Sequence, residues 1–315
     1  MEFVNQVPKI VLTGGSGFLG THLLNHEMFR EALVIGRTPP ANHQYFESIS
    51  FDSIDTLAEV LQGKDVVVHA AARAHVMKDG AESPLDEYRN INTVGTLNLA
   101  TQAALAGVKR FIFISTIKVL GEQTEPGQAF KSGDSFNPQD PYSISKVEAE
   151  MGLKLIGEAY GMEIVIIRPP LVYGKGVKGN FSSLLKLARF PIPLPFGSIQ
   201  NKRSLVSVEN LVDLIVTCIS HPNAKNQTFL VSDDNDVSTP ELVTMLAEAG
   251  GYKAYILFFP LILLSTFFGL IGKKAIYDRL CGSMRVNVDY TKSQLSWEPP
   301  FKINDSLASC WPKKH

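Results

Sequence analysis

Tyr142 and Lys146 are the residues of this chain best suited to proton chemistry at neutral pH. They lie four positions apart at the start of a predicted helix, a spacing that places both side chains on one helical face. A phenol with a pKa of about 10 is a poor base, but a nearby ammonium group favours its ionised form. Ser115 and Thr116 end an earlier predicted strand, where a hydroxyl can bond an oxygen that gains and loses charge. A Tyr-x-x-x-Lys pair alone is common on surfaces, so its meaning depends on what else the chain binds.

A glycine-rich turn at residues 13–20, TGGSGFLG, predicts a dinucleotide site. The turn follows an apolar strand pattern and opens a helix pattern. In that context glycines let the backbone approach a pyrophosphate at the helix amides. Together with the Tyr-Lys pair, the turn indicates hydride transfer at an alcohol or ketone. The residues of this turn that we assign to the cofactor are Gly14, Gly17, Phe18, Leu19 and Gly20.

Arg37 follows the second predicted strand, where the adenosine ribose of a dinucleotide is normally read. An acidic residue there bonds the 2′-hydroxyl of NAD, whereas an arginine accepts the 2′-phosphate of NADP. Because no acidic residue lies between Glu31 and Glu47, the sequence favours NADP over NAD. The alternative is that Arg37 is a solvated loop cation or stacks on adenine. Asp52, between the apolar runs at 32–35 and 65–70, is a candidate partner of the adenine amine.

Strand and helix patterns alternate through the first half of the chain. Apolar runs at 10–13, 32–35, 65–70 and 110–115 predict buried parallel strands, with helices at 18–29, 53–61 and 85–106 between them. The helix that carries the Tyr-Lys pair is predicted at 143–160. This alternation predicts an α/β fold, a doubly wound parallel sheet that binds ligands at the strand carboxyl ends. We expect a dinucleotide-binding domain at 1–169, rejoined by 205–235, and a smaller substrate-binding domain from 170–204 and 236–315.

The composition excludes several classes of protein. The 315 residues carry a net charge of -1 and no long basic block, so we expect no nucleic-acid partner. The three cysteines are far apart and show no metal-binding spacing, so we expect neither a disulfide framework nor a metal site. The N-terminal residues show no signal-peptide pattern. Together these features predict a cytoplasmic protein in a reducing compartment.

Residues 254–272 depart from this ordinary composition, because they contain no charged side chain. The stretch is long enough to meet the length rule for a membrane span, although Pro260 interrupts it. Three alternatives remain open: burial in the protein or under another subunit, contact with a membrane surface, or a membrane span. The second would place the protein at the inner membrane face.

Five motifs resemble those of one enzyme family. TGGSGFLG resembles its TGxxGxxG turn, His69-Ala70-Ala71-Ala72 its fourth-strand motif, and residues 92–96, NTVGT, its N-V-x-G-T motif. YSISK at 142–146 resembles Y-x-x-x-K, and RPPLVYG at 168–174 resembles RPxxVYG. Over almost its whole length the chain is similar to extended short-chain dehydrogenases/reductases, the nucleotide-sugar epimerase/dehydratase family.

This resemblance implies roles for individual residues. Tyr142 would be the acid/base, Lys146 its partner and Thr116 the orienting hydroxyl. Tyr142 and Lys146 would also contact the cofactor, together with Ala70, Ala71, Ala72, Asn92 and Ser115. A nucleotide-diphosphate sugar would be bound by Lys118, Asn180, Phe181 and Arg203. The helices at 85–106 and 143–160 would pair with copies of themselves in a homodimer.

The sequence departs from the dehydratases of that family after the fifth strand. They carry Thr-Asp-Glu, whereas this chain has Thr116-Ile117-Lys118 and lacks both acids that eliminate water. The resemblance therefore implies a 4-epimerase or 4-ketoreductase of a UDP-hexose or UDP-N-acetylhexosamine in surface polysaccharide synthesis. Arg37 favours the reductase, because NADPH suits net reduction. Neither the sugar nor the fate of the hydride follows from the sequence.

Two further classes of protein compete with this interpretation. A steroid-type 3-hydroxy dehydrogenase of the same superfamily would explain the apolar segment, but a sterol has no diphosphate for Asn180, Phe181 and Arg203 to hold. A non-catalytic dinucleotide-binding sensor would typically lack the Tyr-Lys pair, which this chain retains. A purely structural interaction protein is disfavoured for the same reason.

Overall fold

The chain folds around a parallel sheet in a computed structural model that describes residues 7–51, 54–73 and 83–312. The strands in this part of the chain are β1 (Ile10–Thr13), β2 (Leu33–Gly36), β3 (Phe46–Ser48), β4 (Val66–His69), β5 (Arg110–Ile114), β6 (Glu163–Arg168), β7 (Leu171–Tyr173), β8 (Pro193–Leu194), β9 (Leu205–Ser207), β10 (Thr228–Leu230) and β11 (Tyr255–Ile256). Seven of them form one sheet in the order β10-β6-β5-β4-β1-β2-β3, and all its pairings are parallel. The predicted doubly wound α/β fold is confirmed.

Helices connect these strands. They are α1 (Phe18–Leu24), α2 (Ile54–Leu61), α3 (Pro84–Tyr88), α4 (Gly95–Leu105), α5 (Pro141–Tyr160), α6 (Asn180–Arg189), α7 (Val208–Ser220), α8 (Thr239–Ala249), α9 (Leu261–Leu270), α10 (Lys274–Cys281), α11 (Asp289–Leu295) and α12 (Ile303–Ser309). A π-helical segment, Arg89–Val94, joins α3 to α4, so the helix predicted at 85–106 contains a widened turn. Such π segments are frequent at functional sites.

The sheet has its topological switch at β1. From there the chain proceeds outward through β2 and β3 in one direction, and through β4, β5, β6 and β10 in the other. The connections after β1 and β4 therefore diverge and leave a crevice at the carboxyl ends of these two strands. The glycine turn follows β1, and residues 70–72 follow β4, so both predicted cofactor segments border this crevice.

Both faces of the sheet are buried, as its continuous apolar strands require. On β1, Ile10 and Leu12 pack into one cluster with α1 and α7, while Val11 packs into the opposite cluster with α2, α4 and α5. Successive strand residues point to opposite faces, so one short strand supplies both layers. Each fully buried aliphatic side chain contributes about 1.5 to 3 kcal/mol, which fixes the strand ends that carry the site.

The helix α5 has sequence signals for its first and last turns. Asp140 caps it and forms a capping box with Ser143, and Pro141 takes the first helical position. The helix ends at Gly161, whose φ of 72° is the left-handed conformation that glycine adopts at little cost. These signals fix where Tyr142 and Lys146 lie, one turn apart at the start of the helix.

The C-terminal part packs around a third cluster, which includes residues of α6, α8 and α12. The apolar segment 254–272 lies here and is divided at Pro260 into the strand β11 and the helix α9. In α9 only the Leu264 side chain is buried, so burial within the protomer, which is part of the first of the three alternatives, does not hold for this helix. Among the described residues, no helix is long and apolar enough to cross a bilayer.

Candidate active site

The glycine turn packs directly on the residues that follow β4. Gly14 has a φ of 75°, and a Cβ added to it would lie 2.7 Å from the backbone nitrogen of Ala71. A Cβ on Gly20 would lie 2.1 Å from the carbonyl oxygen of Gly14. Both distances are too short for any side chain, so the turn is closed by backbone alone. This arrangement suits a dinucleotide, whose pyrophosphate needs close approach to backbone amides.

A chain of hydrogen bonds ties the end of β4 to the turn and to α4. The Ala71 amide donates to Thr13 Oγ1, which lies 2.7 Å from His69 Nδ1, and His69 Nε2 lies 2.9 Å from Thr96 Oγ1. Thr96 donates to the carbonyl oxygen of Asn92, which sets the direction of every bond. Burial and the nearby Lys146 ammonium lower the pKa of His69 to about 3. The ring is therefore neutral, with its proton on Nε2 and Nδ1 as acceptor.

Asn92 lies in the π segment and joins three elements. Its side chain accepts from the Arg73 amide and donates to the Arg73 carbonyl and to Ser145 Oγ on α5. It is fully buried, and an amide that makes three such bonds fixes the loop after β4 relative to α5. The predicted cofactor residues Ala70, Ala71 and Asn92 are thus held in one network, and Ala72 lies between two of its members.

Tyr142 and Lys146 lie at the carboxyl end of β5, next to this network. The Tyr142 ring packs edge-on against Tyr88, with ring centroids 6.1 Å apart. Burial raises the pKa of Tyr142, and the Asp140 carboxylate raises it further, so the phenol is neutral in the unliganded site. Lys146 is 1% exposed and donates from Nζ to the Ile114 carbonyl oxygen at 2.8 Å.

Burial lowers the pKa of Lys146 to about 7. Its ammonium group lies 4.1 Å from the centroid of the Phe113 ring, so an aromatic face and one carbonyl replace water around it. A buried lysine with so few polar partners gains a favourable interaction when an anionic or hydroxyl group enters the crevice. Such a group favours the charged form of the lysine.

Thr116 and Lys118 form the rim of the site. Thr116 caps a short 3₁₀ helix, Ile117–Val119, and its Oγ1 accepts from the Lys118 amide, so its O–H can still donate. Lys118 Nζ contacts Asp140 at 2.7 Å and Glu122 at 2.8 Å. Burial alone would lower the pKa of Lys118, but these two hydrogen-bonded carboxylates raise it overall. The predicted contact of Lys118 with substrate stays a prediction.

The Ser115 hydroxyl contacts a buried ion pair that the sequence did not predict. Its Oγ donates to Glu150 at 2.5 Å, and Glu150 binds the Arg168 guanidinium through both carboxylate oxygens. The exposed fractions of the two charged side chains are 0% and 3%. Because the Ser115 O–H donates to Glu150, a cofactor contact of Ser115 would use its hydroxyl oxygen as an acceptor or its backbone. Nothing in the sequence indicated that Glu150 and Arg168 form a pair.

Two arginines meet in the C-terminal part. Arg203 Nη1 donates to the carbonyl oxygens of Arg279 and Gly282. Burial lowers the pKa of Arg203, and the positive charge of Arg279 lowers it further, so the two guanidinium groups repel each other. A pair of cations held together in this way suits a bound anion of more than one charge. Sequence reasoning identified Arg203 and missed Arg279.

The other predicted substrate and cofactor residues are placed differently. The helix α6 begins at Asn180, next to Phe181, whose ring is fully buried and stacked on Tyr173 at 5.3 Å. Because the ring belongs to the C-terminal core, a substrate contact of Phe181 would come from its backbone, and this contact stays a prediction. Arg37 is exposed just beyond β2, and Asp52 lies outside the described residues.

The crevice combines a glycine turn that can approach a dinucleotide closely with three side chains at the end of β5. These are the phenol of Tyr142, the buried Lys146 and the hydroxyl of Thr116. This fold and this set of groups define the short-chain dehydrogenase/reductase class. The chain belongs to the NAD dependent epimerase/dehydratase family, whose profile matches residues 10–232. The predicted family is confirmed.

Relatives agree with this assignment. A UDP-glucose 4-epimerase of Vibrio cholerae is 49% identical over 309 residues, which cover 96% of this chain and 94% of that protein. A UDP-glucose 4-epimerase of Thermotoga maritima, solved with UDP-glucose, has a TM-score of 0.74 at 21% identity and covers 95% and 96% of the two chains. RMD from Pseudomonas aeruginosa, solved with NADPH, has a TM-score of 0.73 at 22% identity, with coverage of 96% and 97%. The two structures support the fold alone.

Proposed function

We propose that this chain is an NAD(P)-dependent 4-epimerase of a UDP-linked hexose or N-acetylhexosamine that supplies surface polysaccharide synthesis. The observation that carries the proposal is the pairing of Tyr142 and Lys146 at the cofactor crevice of a chain 49% identical to a UDP-glucose 4-epimerase. The similarity extends over 96% of this chain, so it includes the C-terminal part with its arginines as well as the sheet.

Each catalytic residue of the crevice would have a distinct role in such a reaction. Bound NAD(P) supplies the hydride acceptor and donor. Tyr142 would act from its phenolate form: it would take the proton of the sugar 4-hydroxyl while the C4 hydrogen leaves, and it would return that proton to the carbonyl oxygen after the sugar ring has rotated. Lys146 stabilises the phenolate through its charge, and the Thr116 hydroxyl donates to the same sugar oxygen. The proton count on the protein is unchanged after one cycle.

Arg203 and Arg279 would bind the diphosphate of the substrate. A diphosphate brings two negative charges, which remove the repulsion that lowers the pKa of Arg203 in the unliganded protein. The backbone at the start of α6, Asn180 and Phe181, would complete this contact. Binding energy from the diphosphate holds the nucleotide in place while the sugar ring is released to present its other face.

A 4-ketoreductase is the second candidate, and Arg37 is the observation that favours it. The exposed arginine after β2 suits the 2′-phosphate of NADPH, the cofactor of a net reduction. We therefore propose a preference for NADP over NAD. The catalytic groups required by the two reactions are the same, so only the fate of the hydride separates them.

We also propose a homodimer, a two-domain division and a cytoplasmic location. The exposed faces of the helices around the π segment and of α5 carry the apolar residues that a four-helix dimer contact needs: Val94, Leu105, Met151 and Leu155. The dinucleotide-binding domain would be 1–169 with 205–235, and the substrate-binding domain 170–204 with 236–315. Residues 254–272 would contact the inner face of the membrane.

The proposal is tested by incubating the purified protein with UDP-glucose, with UDP-N-acetylglucosamine and with their 4-keto forms. NADPH absorbance and the stereochemistry at C4 are followed together. Inversion at C4 without net consumption of NADPH supports the epimerase, and stoichiometric consumption supports the ketoreductase. Turnover of none of these sugars would refute both.

Tyr142→Phe separates catalysis from binding in the same assay. Because the variant keeps the ring and loses only the proton-carrying oxygen, we expect turnover to fall by at least about a thousandfold. Binding of NADPH, followed by its fluorescence, should be unchanged. A turnover near that of the wild type would contradict the role of Tyr142.

A further inference from the structure

The C-terminal part presents an exposed apolar surface. Most of it comes from β11, the turn at Pro260 and α9, and the remainder from the residues between α6 and β8. Its members, which define the apolar surface below, are Phe190, Ile192, Tyr255, Leu257, Phe258, Phe259, Ile262, Leu263, Phe267, Leu270 and Ile271. Phe258 and Leu270 are 79% and 83% exposed, values unusual for such side chains in a folded protein.

The backbone under this surface is well anchored. β11 pairs with β8, and the Leu257 amide donates to the Leu194 carbonyl oxygen. The Gly197 amide donates to the Leu257 carbonyl oxygen, and the Phe259 amide donates to Ser198 Oγ. The apolar side chains thus point outward from an ordered scaffold. Their exposure is a property of the fold and not of an unfolded segment.

Cations surround the apolar surface. Lys253 precedes it, and Lys273 and Lys274 follow it, while Lys186 and Arg189 lie on the last turn of α6 beside Phe190. Along the chain no acidic residue lies between Glu248 and Asp278, and none between Glu163 and Glu209. An apolar face whose own chain segments carry lysines and an arginine and no acidic residue is complementary to a surface of acyl chains beneath anionic headgroups.

We propose that the apolar surface docks on the face of an anionic lipid bilayer. The helix α9 has 10 residues and a length of about 15 Å, half of the hydrocarbon thickness, so it can enter one leaflet and not span both. A second copy of the chain is a poorer occupant. In a two-fold contact the surface would meet itself and bring the lysines of both copies together without an acidic partner.

The docked orientation places the C-terminal part next to the bilayer. The helix α10, which carries Arg279, begins directly after α9, at Lys274. The arginine pair therefore lies one short helix away from the apolar surface. The bilayer contact itself depends on this surface alone and stands whether or not the proposed catalytic function is correct.

Vesicle flotation of the full-length protein tests the proposal. One set of vesicles is phosphatidylcholine alone, and the other contains about 30% phosphatidylglycerol. We expect at least about tenfold tighter binding to the anionic vesicles, and loss of most of this difference in about 0.5 M salt, because the charges are then screened. No binding to either set, or equal binding to both, would overturn the proposal.

Variants locate the contact. Phe258→Ser/Leu270→Ser removes the two most exposed side chains and should weaken binding at least about tenfold without changing sugar turnover. Lys273→Gln and Lys274→Gln should each weaken binding to anionic vesicles about fivefold. The matched control, Tyr45→Ser/Phe301→Ser, removes two exposed rings outside the apolar surface and should bind as the wild type does.

Two results would assign the surface to something else. Equal losses in the control and in the Phe258→Ser/Leu270→Ser variant would show that general hydrophobicity drives the binding. A mass in solution that exceeds the dimer, and that falls in the Phe258→Ser/Leu270→Ser variant, would show that a second copy covers the surface. Either result overturns the bilayer contact.

Discussion

The buried pair of Glu150 and Arg168 allows a sharp test of what holds the active-site strand in place. The helix α5 carries two Glu–Arg pairs two residues apart, Glu148 with Arg89 and Glu150 with Arg168. Both are bidentate and both have a shortest N–O distance of 2.6 Å. They differ in exposure: 31% and 42% for the Glu148 pair, but 0% and 3% for the Glu150 pair.

Glu150→Gln keeps the shape of the side chain and leaves the Arg168 charge buried without its counter-ion. Removing one partner of a buried pair typically costs about 3 to 5 kcal/mol. The same change at Glu148 breaks a half-exposed pair worth about 0.2 to 1 kcal/mol, because water takes over its hydrogen bonds. The two substitutions have identical chemistry on one helix, so the difference of roughly 3 kcal/mol reports burial alone.

The free energies of unfolding are measured by urea denaturation at equal protein concentration, with thermal midpoints in parallel. A loss of about 3 to 5 kcal/mol corresponds to a fall in Tm of about 5 to 8 °C for a chain of this size. Glu148→Gln should lower Tm by less than about 3 °C.

A double variant makes the reasoning refutable. Adding Arg168→Met to Glu150→Gln removes the stranded charge while Gln still accepts from Ser115, so part of the lost stability should return. If Glu150→Gln lowers the free energy of unfolding by no more than Glu148→Gln does, burial does not raise the cost of breaking a pair. If the double variant is less stable than the single one, the penalty does not come from an uncompensated charge.

Three further predictions concern the crevice. Gly20→Ala should abolish dinucleotide binding by titration calorimetry, because the new methyl group would lie 2.1 Å from the Gly14 carbonyl oxygen and open the turn. Arg37→Ala should weaken NADPH at least about tenfold more than NADH, measured by fluorescence titration. The pKa of Lys146 is about 7 in the fold against 10.5 when unfolded, so between these values the unfolded chain binds the additional proton. Stability should therefore rise with pH through this window, and Lys146→Met should lack that rise in urea midpoints at about pH 7 and about pH 9.

Each of these has a contrary result. Unchanged cofactor binding by the Gly20→Ala variant would mean that the turn relaxes at no cost. Equal losses of NADPH and NADH would remove Arg37 from cofactor selection. An identical pH dependence of stability in the wild type and the Lys146→Met variant would place the proton uptake on another group.

The sheet and the glycine turn could be predicted from the sequence because their signals are local. The strand β1 lies at the predicted residues, and both ends of β2, β4 and β5 lie within one residue of those predicted. The turn is readable because three glycines mark places where a Cβ has no room. Likewise, Asp140, Pro141 and Gly161 mark the ends of α5.

The partners across the fold could not be predicted, because they depend on contacts between residues far apart in the chain. Arg168 belonged to a recognisable motif, yet its bond to Glu150 needs β6 and α5 in their final places. Arg279 lies in no motif and is found only through its contact with Arg203. The burial of Phe181 and the exposure of residues 254–272 were also invisible, since an apolar residue in a sequence reveals nothing about which surface covers it.

The order of the strands has a consequence for the synthesis of this chain. Six strands of the sheet, together with Tyr142 and Lys146, lie within residues 10–168, whereas β10 follows only at Thr228–Leu230. A chain growing from its N-terminus therefore presents β6 as an open, apolar edge until β10 arrives. The side chain of Asn210 on α7 forms two hydrogen bonds with the backbone of Phe301, and these can form only later still. The nascent chain is therefore most prone to aggregation while residues 169–228 are being synthesised. A chaperone that covers the β6 edge would have its largest effect at this stage.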